Sequence, residues 1–354
     1  MRDGWLILRS QRLPLSLRLD RRAPLTIVTL LALSLLVFIV SIGHGEYPIS
    51  AVDVVSTFLG LGSGNDDYRL VIFEFRLPRV LLALMVGAAL AVAGTIVQGV
   101  TRNPLAAPEI IGVSSGAGLA AVSLIVLVPG SSVMLVPPAA LVGATLAFAL
   151  IYGLAWRGGD SPLRLILIGI GLASVTSALT TLVVTFADFY RAGQALLWLT
   201  GSVYGRSWEH VRALTLWLAL LLPAALLLAP QLNVLSLGDE IARGLGSRVT
   251  APRLLVLLVG VGLAAAAVAS AGPIGFVGLM APHLARRLVG PAHEGLLPVA
   301  AAIGALLVAS ADLVGRSLFA PIEVPCGVVT AIIGAPYFLY LLARTRMRAS
   351  GGET

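Results

Sequence analysis

The sequence predicts an all-α membrane protein of about ten transmembrane helices. Three observations carry this. The 354-residue chain is 58% hydrophobic and only 12% charged, with a mean hydropathy of +0.97, whereas a soluble domain is about one quarter charged. Apolar runs recur at 25–43, 79–101, 110–128, 133–156, 163–187, 210–230, 251–271, 274–289, 296–316 and 326–343, most of them near the roughly 20 residues that cross a bilayer as a helix. Arginine is distributed unequally between alternate connections, as the positive-inside rule requires.

Composition also excludes several classes. All 24 basic residues are Arg, and the net charge is +7. In a chain this apolar the excess belongs to membrane topology, so no nucleic-acid partner is expected. The single Cys326 cannot form an intrachain disulfide. His44, His210, His283 and His293 have no ligand spacing, so no metal site is expected. There is no phosphate-cradling glycine loop, no nucleophile elbow and no paired carboxylates in a recognisable setting. No catalytic residue and no cofactor are expected in this chain.

Residues 1–24 form an N-terminal segment with six arginines. No cleavage site follows the first apolar run, which is read as a retained span. Residues 25–345 form the transmembrane domain and 346–354 a short tail. Ten spans put both termini on one side; 17 arginines then fall on that side and seven on the other. Both termini are therefore expected in the cytoplasm. The run at 274–289 is short, and a shorter one at 195–201 reads as a half-helix at the surface.

Residues 78–94 (PRVLLALMVGAALAVAG) and 252–266 (PRLLVLLVGVGLAAA) are similar. The first starts outside and the second inside, which predicts an inverted repeat with halves at about 78–187 and 252–343, a common transporter architecture. Asn103-Pro104 and Ala107-Pro108 end one helix, and Gly112–Gly118 begins the next. Gly272-Pro273 and Ala281-Pro282-His283 interrupt the second half. Such backbone is tolerated at membrane depth only where protein or a water-filled cavity satisfies it.

Ser174, Ser177, Thr181 and Thr185 recur at helical spacing and form one polar stripe. They either line a polar pathway or satisfy themselves on the preceding turn. No carboxylate or arginine lies clearly at mid-span, which weakens an ion-coupled secondary transporter. At the outer ends, Arg76 and Arg79 bracket Leu-Pro, and Arg316 lies four residues after Asp312. They read as interfacial anchors and an i, i+4 ion pair, or as a cationic patch for an acidic partner.

Residues 236–249, within a cytoplasmic loop at 231–250, are amphipathic. Leu237, Ile241 and Leu245 share a helical face. Ser236 and Asp239 predict a capping box that starts the helix, and Gly244 and Gly246 end it. A solvated loop helix and a docking helix both fit this pattern. In the second, Leu237, Ile241 and Leu245 face the partner or the bundle, and Asp239, Glu240 and Arg243 meet the partner's polar rim.

Several motifs together resemble the permeases of iron-siderophore and vitamin B12 ABC importers. They are R76-L-P-R79, V86-G-A-A-L-A-V-A-G94, N103-P-L-A-A-P108, G112-V-S-S-G116, the run 272–287 and P325-C-G-V-V-T-A-I-I-G334. Within that family R164-L-I-L-I-G-I-G171 and A281-P-H-L-A-R-R287 most resemble the ferric enterobactin subunits. The resemblance implies a type II ABC importer fold in a bacterial cytoplasmic membrane. A second permease chain, a paralogue rather than an identical copy, would complete the pathway. Two ATPase subunits would bind ATP and Mg, and a periplasmic or lipid-anchored binding protein would deliver the ferric siderophore. Arg76, Arg79 and Arg316 would receive glutamates of that binding protein. Leu237, Gly238, Asp239, Glu240, Ile241, Arg243, Leu245 and Gly246 would lie in the coupling segment that fits the ATPase. Asp160 and Ser161 would lie near an inner gate. Vitamin B12 or haem import shares every one of these motifs.

Overall fold

The computed structural model describes residues 5–9, 16–20, 22–45, 47, 49–61, 66–156, 162–318 and 320–350. One feature departs from an all-helical chain. β1 (Trp5–Arg9) and β2 (Ser16–Asp20) pair antiparallel, with Trp5 opposite Asp20 and Arg9 opposite Ser16. The alternation of Leu with polar residues in Ser16–Asp20 has the two-residue strand period.

Helices follow. α1 (Arg22–Gly43) leads to α2 (Ala51–Phe58), where Ser50 Oγ accepts from the Asp53 amide at 3.2 Å. α3 (Asp66–Leu70) continues through a π-helical stretch, Val71–Arg76, into α4 (Leu77–Thr101). Then come α5 (Val113–Leu127), α6 (Val136–Trp156), α7 (Pro162–Thr185), α8 (Phe189–Leu199) and α9 (Trp208–Leu227). α10 (Ala229–Ser236), α11 (Asp239–Gly244), α12 (Thr250–Ala271), α13 (Val277–Val289), α14 (His293–Ser317) and α15 (Cys326–Ser350) complete the chain.

Every apolar run becomes a helix, and among the described residues eight helices are long and apolar enough to cross a membrane. α5 and α13 are shorter, at 15 and 13 residues. At 1.5 Å per residue they reach only about 20 Å, against about 30 Å of hydrocarbon. Each follows broken backbone: Gly112 has φ 75° before α5, and Gly272 and Phe276 have φ 75° and 67° before α13. The half-helix expected at 195–201 is longer and begins earlier, at Phe189. Asp188 starts it by accepting from the Arg191 amide at 3.0 Å. A search for apolar runs misses its first half, because Phe-Tyr-Arg-Ala-Gly-Gln mixes polar and apolar residues.

α4 and α12 pack together at the centre. In each, 78% of the apolar window is buried, against 11% for α7 and 17% for α1. Two blocks, α4–α7 and α12–α15, share an order of long, short, long, long helices. The first helix of each block lies against the third helix of the other: α4 on α14, and α12 on α6.

Glycine makes the tightest of these crossings possible. A Cβ on Gly304 would fall inside the Gly87 carbonyl, and one on Gly87 inside that of Gly304. Small residues let membrane helices approach this closely. Gly304→Leu is expected to destabilise the chain by about 3 kcal/mol through overpacking. Gly153→Leu, where nothing lies within 4 Å, is expected to leave stability unchanged. Thermal unfolding of the two detergent-purified variants compares them directly.

Candidate functional site

Polar residues collect at both ends of α4. At its N-terminal end the π-helical stretch widens the backbone by one residue per turn and delivers Arg76 to the bundle rather than to solvent. Arg76 is 7% exposed and donates to the carbonyls of Ile42 and Tyr47. Arg316, at 8%, donates to the carbonyls of His44 and Ser41. Arg79 is held from two sides. Its Nε and Nη2 donate to Asp312 at 2.9–3.1 Å, and Nη1 and Nη2 donate to Glu323 at 3.1 and 2.9 Å. Its guanidinium also lies 5.5 Å from the centre of the Tyr204 ring, within cation–π range.

The structure thus brings Arg76, Arg79 and Arg316 together, but turned inward. Anchoring by exposed side chains at the interface does not describe them. The i, i+4 pair of Arg316 with Asp312 is present but loose at 3.9 Å, and the close partner of Asp312 is Arg79. Among the described residues, three guanidiniums and two carboxylates make up the cluster. Glu323 was not singled out from sequence. It sits in the loop between α14 and α15, 244 residues from Arg79, and no local spacing links the two.

At the other end, Arg253 at the start of α12 donates to Asp239, and Arg102, just past α4, approaches the same carboxylate at 4.0 Å. The expected capping box is absent. Ser236 ends α10, its Oγ donating to the Asn233 carbonyl at 2.7 Å, and Gly238 at φ 103° turns the chain into α11. That φ lies where side chains are strained, so the helix starts at Asp239. Asp239 is held by Arg253 and stays partly exposed. Glu240 and Arg243 are exposed, as are Gly246 and, at 52%, 56% and 66%, Leu237, Ile241 and Leu245. Ala242 turns into the bundle. Asn233 secures the neighbouring helix: its amide donates to Glu294 at 2.8 and 2.9 Å, and its carbonyl accepts from the His293 amide at 3.0 Å. Arg286 of α13 donates to the buried Gln98 of α4 at 2.7 Å.

Ser174, Ser177, Thr181 and Thr185 lie on an exposed face of α7. Ser174, Thr181 and Thr185 donate to carbonyls one turn earlier, at 2.8–3.0 Å. Thr176 and Thr180, not singled out from sequence, are buried. Asp160 and Ser161 lie outside the described residues. No group of three or more His, Cys, Asp or Glu residues that could hold a metal ion occurs among the described residues.

A bundle of membrane-crossing helices, with a central glycine-packed pair and an ionic cluster at each end of α4, makes this a polytopic membrane protein. The chain belongs to the FecCD transport family, whose sequence profile matches residues 32–344. It is 47% identical over 92% of its length to the probable siderophore transport system permease protein YfhA of Bacillus subtilis, covering 96% of that protein. It is 44% identical over 91% of its length to the Fe(3+)-citrate import system permease protein YfmE of the same organism, covering 96% of that protein. Among solved structures it resembles a metal-chelate type ABC transporter in an inward-facing conformation, at 35% identity and a TM-score of 0.81, covering 91% of this chain and 99% of that one. The type II importer fold expected from the sequence is the fold observed. The narrower expectation of an enterobactin-type subunit is not supported. The ferric enterobactin permease protein FepG of Escherichia coli is 39% identical over 91% of this chain and 97% of that protein, below both Bacillus relatives.

Proposed function

We propose that this chain is the membrane-spanning subunit of an ATP-driven importer that carries a ferric siderophore into the cytoplasm. What supports this is similarity to siderophore and iron-chelate permeases along nearly the whole chain. The geometry is consistent with it. α11 presents Ile241, with Leu237 just before and Leu245 just after the helix, and is anchored from behind by the Asp239–Arg253 bridge. A separate ATPase subunit covers that face in this reading, and the chain itself hydrolyses no ATP. Arg76, Arg79 and Arg316, gathered at one end of α4, receive the glutamates of a periplasmic or lipid-anchored binding protein in this reading. The nearly uncovered α7 meets a second permease chain, a paralogue, with Ser174, Ser177, Thr181 and Thr185 on the pathway and Asp160-Ser161 near its inner gate. Both termini are cytoplasmic.

The catecholate reading rests on the motifs at 164–171 and 281–287. A citrate chelate is the second reading, favoured by the similarity to the ferric citrate permease. Proteoliposomes holding the assembled complex should take up one ferric siderophore from a panel of catecholate, hydroxamate and citrate chelates, vitamin B12 and haem, and only with ATP. Uptake that persists without ATP hydrolysis overturns the importer reading. Selective uptake of vitamin B12 or haem overturns the ligand assignment alone.

A further inference from the structure

A cavity of about 480 Å³ opens beside the Arg79 cluster, between α5, α6, α8 and the loop that precedes α9. Its wall is mostly apolar, built by Ile125, Val133, Val136 and Leu197. Two residues on that wall carry unmet hydrogen-bonding capacity. Among the described residues, the buried atoms Trp198 Nε1 and Arg206 Nε have no hydrogen-bond partner. Arg206 is the more unusual. Its one hydrogen-bond contact among the described residues is from Nη1 to His210 Nε2 at 3.3 Å, and no carboxylate pairs with it. Arg206 is part-buried, and a cation withdrawn from water without a counter-charge is costly; its five N–H groups in a planar fork suit a phosphate. Glu323, also on the wall, is already bound to Arg79, so the cavity keeps the charge of Arg206.

The surroundings say where an anion would come from. Val133 and Leu135 at the rim are 71% and 50% exposed. From there Val142, Leu146, Leu150 and Leu154 continue down α6 at four-residue spacing, each 48–59% exposed. This is one apolar strip on a membrane-crossing helix, leading away from a cationic cavity flanked by Trp198 and Tyr204. Trp and Tyr mark the headgroup level of membrane proteins.

We propose that this cavity binds the headgroup of an anionic phospholipid, with Arg206 holding the phosphate and an acyl chain lying along the exposed strip of α6. Gln194 and Ser202, also on the wall, would meet the polar part of the headgroup. A lipid bound there would pack between α6 and α8 and hold the Gly201–Ser207 loop.

The test uses the delipidated full chain in detergent, titrated with phosphatidylglycerol, phosphatidylcholine or inorganic phosphate, with thermal unfolding and native mass spectrometry as readouts. Phosphatidylglycerol is expected to stabilise the protein and remain bound, with phosphatidylcholine about tenfold weaker. Arg206→Gln should weaken phosphatidylglycerol binding about tenfold, the loss of one charge-assisted contact, and so bring it close to the level of phosphatidylcholine. Equal responses to the two lipids, or unchanged binding by Arg206→Gln, overturn the proposal. Protection by inorganic phosphate equal to that by phosphatidylglycerol also overturns it, because it assigns the site to a free anion. If Arg206→Gln does not fold, Val133→Asp at the exposed rim decides. Loss of phosphatidylglycerol selectivity supports the lipid site and its retention overturns it.

Discussion

Ile241→Asp is expected to weaken association with the ATPase subunit about 100-fold and to abolish transport-coupled hydrolysis, while the permease itself remains folded. Ile241 is 56% exposed on a short helix whose other face is pinned by Ala242 and by the Asp239–Arg253 bridge. Its replacement costs the isolated chain little. Against a partner it buries a carboxylate in an apolar pocket, and truncations at such central anchors already reach 2 kcal/mol or more. Pull-down of the ATPase and ATP turnover in the reconstituted complex are the measurements. Association within a fewfold of wild type would remove α11 from the coupling surface. Glu240→Gln, at the edge of the same helix, is expected to change association by less than about fivefold.

Asp312→Asn is expected to cost about 3 kcal/mol of stability, and Glu323→Gln about 1 kcal/mol or less. Both carboxylates bind Arg79, but their surroundings differ. The Asp312 side chain is 4% exposed and lies between Arg79 and Arg316, whereas the Glu323 side chain is 29% exposed. Without Asp312, Arg79 keeps only a half-solvated partner and Arg316 loses its nearest negative charge. Water screens the loss at Glu323 and does not reach the loss at Asp312. Chemical or thermal unfolding in one detergent ranks the two variants. Equal losses would mean that the cluster is more open to water than its burial indicates.

The parts of the fold that were legible in the sequence are those governed by the bilayer. Apolar length placed ten of the fifteen described helices, and glycine and proline marked the breaks before α5 and α13. The limits were set by contacts between residues distant in sequence. Arg316 has Asp312 at helical spacing, and that pair is what local reading finds. Arg79 nevertheless holds Asp312, because α4 and α14 meet at the Gly87–Gly304 crossing, which spacing along one helix cannot reveal. The start of α11 was displaced for a different reason. Ser236 and Asp239 have capping spacing, yet Ser236 satisfies its hydroxyl on the helix behind it, and the conformation of Gly238 places the start two residues later. Leu237, Ile241 and Leu245 are each exposed, but only Ile241 lies within α11, with Leu237 before the Gly238 turn and Leu245 after the helix. The pairing of Asp239 with Arg253 was not legible, because Arg253 lies on the next helix.

α4 joins the two ionic clusters by itself. Arg79 and Arg102 are separated by about 34 Å along one uninterrupted helix, and the glycines on its flanks hold α14 and α13 within backbone contact. A rod gripped so closely cannot bend locally to absorb a push. A tilt imposed where Arg102 meets Asp239 must reappear as a sideways swing where Arg79 grips Asp312 and Glu323. The two faces of the membrane are connected mechanically by the stiffness of a single strut.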